Sequence, residues 1–93
     1  MIKSFRDKRT ENLARGKAPK GIPPDVAKRA VNKLFLLDTV TRLEDLRAPP
    51  GNRLEALTAD RRGQHAIRIN DQWRLCFVWR DGDVHDVEFV DYH

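Results

Sequence analysis

The order of patterns along this chain predicts an α+β domain: a small antiparallel β-sheet with two N-terminal helices packed on it. Three observations carry that expectation. Between Asp25 and Thr39 the residues Ala27, Ala30, Val31, Leu34 and Leu37 recur at spacings of three and four, the period of an amphipathic helix. From Gln64 the period changes to two, with His65, Ile67 and Ile69 on one side of a strand and Ala66, Arg68 and Asn70 on the other. Turn residues then divide the remainder, at Asn70-Asp71 and at Asp81-Gly82-Asp83, into strands over Gln72 to Arg80 and Val84 to Tyr92 that pair as hairpins.

The other elements follow from local chemistry. Ile2 to Phe5 is short and suits an edge strand, and Arg6 to Arg15 reads as a polar helix whose core contacts are Leu13 and Ala14. Glycines and prolines between Gly16 and Pro24 break it. Pro23 and Pro24 then open the main helix, with Asp25 near the positive end of its dipole. Thr41 to Leu46 adds a short turn anchored by Leu43 and Leu46, and Arg47 to Asn52 is a second breaker. Arg53 to Leu57 is a short, partly apolar piece before Asp60-Arg61-Arg62-Gly63. In the long strand Trp73, Leu75, Phe77 and Trp79 alternate with Arg74, Cys76, Val78 and Arg80. At 93 residues the chain holds one domain, residues 1–93.

Composition narrows the function classes. One cysteine, Cys76, excludes an internal disulfide and fits a small buried residue in a reducing cytoplasm. No apolar leader and no long uncharged apolar run are present, so neither export nor membrane spanning is expected. His65, His85 and His93 are not at ligand spacing, and His65 alternates with Ile67 and Ile69 as a packed residue does, so no metal and no cofactor is expected. The net charge of +4 is unevenly spread: residues 1–33 hold ten bases against three acids, and every base after Lys33 is an arginine. That distribution suits a polyanion such as nucleic acid, although a basic helical half also serves simply as a solvated surface.

Chemistry concentrates in the last strands. Arg68 and Arg74 lie on adjacent strands, each opposite its strand's large apolar residues, and Arg53 and Arg61 come just before them in the chain. Hairpin pairing returns Asp91-Tyr92-His93 to the neighbourhood of Trp73 and Arg74. A carboxylate, a phenol, an imidazole and a guanidinium in one patch are sufficient to cleave RNA without metal, since the 2′-hydroxyl attacks its own phosphate once a base, an acid and a cation are supplied. Trp73 is expected in the core, with stacking on an unpaired base as its other use. The terminal Asp-Tyr-His is equally compatible with an ordered strand end that carries no chemistry.

The residues Arg53-Leu54-Glu55-Ala56-Leu57, Asp60-Arg61-Arg62-Gly63, Ile67 to Leu75 and Val87 to His93, with the opening Met1-Ile2-Lys3-Ser4-Phe5, together resemble the HigB toxins of the RelE superfamily, also called plasmid-maintenance killer proteins. The resemblance covers the whole chain and implies a RelE-like fold. It implies a toxin of a type II toxin–antitoxin system that cleaves messenger RNA on the ribosome. It implies a HigA-type antitoxin with a helix-turn-helix domain, through which alone operator DNA would be contacted. Family active-site positions fall on Arg74, Asp91, Tyr92 and His93, with Arg53, Arg61, Arg68 and Trp73 as RNA-binding candidates. Some members have a histidine where this chain has Glu55 and a lysine where it has Thr58, so Glu55 either acts as a base or holds an arginine. Two rivals use the same basic surface: a module that blocks translation by occupancy, and a DNA-binding corepressor.

Overall fold

The first helix begins where Asp7 can cap it. The Asp7 carboxylate accepts from the Thr10 backbone N–H at 2.8 Å, and α1 runs Lys8–Ala14. The computed structural model describes residues 1–91. Its second helix, α2, spans Pro24–Thr39 and buries Val26, Ala27, Ala30, Leu34 and Leu37. In α1 the core contacts are Leu13 and Thr10, whereas Ala14, expected inside, is exposed. Thr10 displaces it because its hydroxyl meets a backbone N–H of the sheet, a bond that an apolar pattern does not reveal.

Four antiparallel strands follow in sequential order, β1 Glu55–Ala56, β2 His65–Arg68, β3 Trp73–Arg80 and β4 Asp83–Asp91. The short Arg53–Leu57 piece thus supplies a sheet edge. The β3–β4 turn has Asp81 and Gly82 both at positive φ, the geometry of a two-residue hairpin loop, and Gly82 adopts it at no steric cost. The β2–β3 turn works otherwise. Asn70 and Asp71 keep negative φ, and the Asn70 side-chain oxygen accepts from the N–H groups of Gln72 and Trp73 at 2.9 and 2.8 Å.

The helices cover one face of the sheet. Ile67, Leu75, Phe77, Val84, Val87 and Phe89 are fully buried there, and Trp73 stacks on Phe89 with ring centroids 4.5 Å apart. The expected N-terminal edge strand is reduced to two parallel bridges, Ile2 with Val84 and Phe5 with Val87. A bulge explains the interruption. Between Cys76 and Val78 the β4 side carries an extra residue, and Asp86 stands at positive φ with its N–H bonded to Ser4 Oγ.

Candidate active site

The sheet's other face bears the charged residues. Ladder partners share a face, so the register aligns Glu55, Ala66, Cys76 and Glu88 in one row across all four strands. The adjoining row holds Arg68, Arg74 and Val90. Standard strand spacing and rise put the Cα of Glu55 about 12 Å from that of Arg74, a gap that two long side chains can close over a substrate.

Arg74 is held by the β2–β3 turn. Its Nη1 donates to the Asn70 carbonyl at 2.5 Å and to the Trp73 carbonyl at 3.1 Å. The turn that Asn70 builds with its side chain therefore also fixes a guanidinium at the end of the open face. Arg68 pairs with the exposed Asp71 carboxylate across the same turn. Arg53 is exposed, just ahead of β1, with a left-handed backbone that ends the Pro50–Asn52 turn.

Arg61 reaches the row from above. It belongs to the β1–β2 connection, yet its Nη1 meets Glu88 on β4 and Gln64, each at 3.0 Å. The connection accordingly folds over the open face. Hydrogen bonding to Glu88 raises the Arg61 pKa further, and Arg6 adds a longer contact to the same carboxylate at 3.8 Å. Arg61 is thereby half committed to structure. Beneath this pair lies Cys76, fully buried, whose thiol burial pushes up. Such a thiol is a packing group and not a nucleophile at neutral pH.

Of two further candidates, Trp73 lies in the core as expected, against its use as an RNA platform, and Asp91 is placed differently from expectation. Trp73 is a core residue, 8% exposed, with one ring face stacked on Phe89 and the Arg9 guanidinium beside the pair, so it is too buried to take an RNA base. Asp91 is registered with Trp73 and Arg74 with Val90, so the two stem from neighbouring backbone positions but from opposite sides of the pleat. Gln72 Nε2 donates to the Asp91 carboxylate at 3.2 Å. Tyr92 and His93 lie outside the described residues. Glu55 is exposed on the edge strand and lines two shallow clefts, one shared with Leu43, Arg47 and His65 and one with Thr58 and Arg61. Among the described residues no group of three or more His, Cys, Asp or Glu side chains could hold a metal ion, and no helix is long and apolar enough to cross a membrane.

Sequence reasoning missed the residues that brace the site. Asn70 was legible as a turn former but not as the anchor of Arg74. Arg9 and Thr10 hold the last strand from α1: Arg9 Nη2 donates to the Phe89 carbonyl at 2.6 Å, and Phe89 N–H donates to Thr10 Oγ1 at 2.9 Å. No spacing rule links positions so distant in the chain.

Comparison with known proteins adds to this geometry. The profile of the HigB-like toxin family, described as the RelE-like toxin of type II toxin–antitoxin system HigB, matches residues 3–93. Toxin HigB-1 of Vibrio cholerae is 40% identical over 83 residues, 88% of this chain and 87% of that protein. The Endoribonuclease HigB of Proteus vulgaris is 31% identical over 93 residues, the whole of both chains. Among solved structures, a YoeB–YefM complex from Staphylococcus aureus aligns with a TM-score of 0.56 at 15% identity, over 100% of this chain and 98% of that one, a likeness of fold.

Proposed function

The chain belongs to the family of RelE-like HigB toxins of type II toxin–antitoxin systems, and we propose that it arrests translation by cutting messenger RNA on the ribosome through attack of the 2′-hydroxyl on the adjacent phosphate. One observation carries this reading to the residues: Arg74, tethered to the Asn70 and Trp73 carbonyls, presents a fixed cation on the open face beside the last strand. In the reaction the 2′-oxygen bonds to phosphorus as a base removes its proton, and the bond to the 5′-oxygen breaks as an acid protonates that oxygen. The products are a 2′,3′-cyclic phosphate and a 5′-hydroxyl. Arg74 stabilises the charge that builds on the phosphoryl oxygens.

The proton carriers are Asp91, as base or as the group that orients the imidazole, and His93, as acid. Tyr92 positions the substrate. Glu55, at the far edge of the Arg74 face, acts as a second base or holds an arginine, and Arg53, Arg61 and Arg68 contact the backbone phosphates. All of these groups are side chains, so the step calls for no metal. A HigA-type antitoxin with a helix-turn-helix domain neutralises the toxin and alone contacts operator DNA. The site of action is the cytoplasm, where the ribosomes are.

Expression of Arg74→Ala, and of a chain lacking His93, tests the assignment. Growth arrest should be lost in both with melting unchanged, and cleavage by Arg74→Ala should fall by about 10²–10³, the usual cost of one charge-stabilising donor. Full toxicity in both variants refutes the site. Mapping 5′ ends of cellular messages after induction decides the chemistry: new ends inside coding regions mark cleavage, whereas intact messages with stalled synthesis mean that the protein acts by occupancy.

A further inference from the structure

A cleft of about 440 Å³ opens where α2 passes the Pro50–Asn52 turn and the end of β2, and its lining includes Arg29, Asn32 and Lys33 from α2 and Arg68 from β2. We propose that this cleft is a second phosphate-binding site, which holds a phosphodiester of RNA away from the bond that is cut. The inference rests on the reading of the chain as a toxin that acts on RNA.

The cations are arranged against their own repulsion. Arg29 and Lys33 are four apart on one helix, a spacing at which like charges destabilise it. Arg68 brings a third guanidinium or ammonium group to the same opening, in an ion pair with the exposed Asp71. Lys33 is also positioned. Its ammonium donates to Asn52 Oδ1, and the Asn52 amide is oriented in turn by its own donations to the carbonyls of Leu46 at 3.1 Å and Ala48 at 3.0 Å. Asn52 is fully buried, so a rigid fixture aims the lysine. Burial and the charge of Arg29 both lower the Lys33 pKa, a cost that a bound anion would offset.

Placement favours an RNA strand over an isolated anion. Arg68 is the ladder partner of Arg74, so the cleft opens beside the cation assigned to the scissile phosphate. A strand with one phosphate on Arg74 can therefore continue past Arg68 toward the cleft that holds Arg29 and Lys33. Phosphate contacts of this kind set register without reading bases. The cleft should accordingly strengthen binding equally for any sequence.

The test measures binding separately from cleavage. Arg29→Gln, Lys33→Gln and the double variant are titrated against a short single-stranded 2′-O-methyl RNA, which lacks the attacking hydroxyl, and against purified small ribosomal subunits, each over a salt series. Loss of one phosphate contact should flatten the slope of log affinity against log salt by about 0.7 for a single strand, and the double variant should flatten it by about twice that. Weaker binding in both arms assigns the site to the message strand. Weaker binding to subunits alone assigns it to ribosomal RNA. Unchanged affinity and slope in both arms, as expected if the cleft serves an acidic protein segment, overturn the proposal. Arg29 is exposed and can be neutralised without disturbing Asn52, so that single variant keeps the test valid even if Lys33→Gln unfolds the protein. A flattened slope in a protein that cuts no message would uphold the cleft and refute the nuclease. Cleavage with an unchanged slope would do the reverse.

Discussion

Thr10→Val sets two physical terms against each other at a site with no solvent. Thr10 and Phe89 are both fully buried, and Thr10 Oγ1 accepts from the Phe89 N–H at 2.9 Å. Valine keeps the shape and adds apolar character, so burial alone predicts a neutral or stabilising change. It also strands the Phe89 N–H, because that group points away from β3 toward α1, and an unsatisfied buried donor costs about 1–3 kcal/mol. Thr10→Ser keeps the acceptor and loses one buried methyl, about 1 kcal/mol. With no water to take the bond, the valine variant should fall in the upper half of its range, about 2 kcal/mol. A domain of this length has roughly 5–14 kcal/mol in total. At about 4–8 °C per kcal/mol, Thr10→Val should melt about 8–16 °C below the parent and below Thr10→Ser. Thermal unfolding followed by circular dichroism, with urea titration for the free energy, measures both. A valine variant that melts at or above the serine variant would falsify the claim that this bond, and not packing, fixes α1 to the last strand.

Two further outcomes are expected. Cys76 should react slowly with a thiol reagent in the native protein, since it is buried and its pKa is raised, and Arg61→Ala, which removes the side chain that spans to Glu88, should speed that reaction at least severalfold; equal rates would show that Arg61 does not cover the thiol. The depressed pKa of Lys33 means that the unfolded chain binds more protons than the native one between the folded value and 10.5. Stability should therefore rise with pH as that window is crossed, and denaturant titrations from pH 8 to 10 should find the rise smaller in Lys33→Gln; parallel curves would remove the desolvation assigned to Lys33.

The parts of the fold legible in the sequence are those governed by a repeat or by turn chemistry. The stripe of α2 and the alternation of β3 report burial directly, and Asp81-Gly82 sets its hairpin because few residues accept two positive φ values in succession. The hairpins set which strands are neighbours, but not the full register: continued as a plain ladder from Asp81-Gly82, the pairing would put Val90 opposite Trp73, and the bulge between Cys76 and Val78 moves the partner to Asp91. Illegible were the bonds from side chains to distant backbone. Arg9 and Thr10 look like solvated helix residues, and only the tertiary structure reveals that they hold the Phe89 carbonyl and N–H. Trp73 marks another limit: alternation assigns its face, but the Phe89 stack and the ring's burial decide that it is used inside. The proposed catalytic roles rest on hairpin pairing together with the resemblance, because no spacing rule defines this group of residues.

The N-terminal residues explain how so short a chain holds its last strand in place. An outermost strand carries unpaired backbone groups on one side and invites fraying or aggregation. Here Val84 bonds to Met1 and Lys3, Val87 bonds to Ser4 and Arg6, and Phe89 bonds to Thr10 and Arg9, all between 2.6 and 3.1 Å. The first ten residues thus cover the outer edge of β4 step by step, first as backbone and then as side chains where α1 begins. The change of partner is forced, since a helix already uses its own backbone groups and can offer a strand only its side chains. Fixing Phe89 in this way fixes the backbone two residues before Asp91, and Asn70 fixes Arg74 from the other side of the ladder. The two ends of the chain and one turn therefore hold the assigned base and cation independently, which is why loss of the Thr10 bond should disturb the last strand while leaving the Arg74 anchor in place.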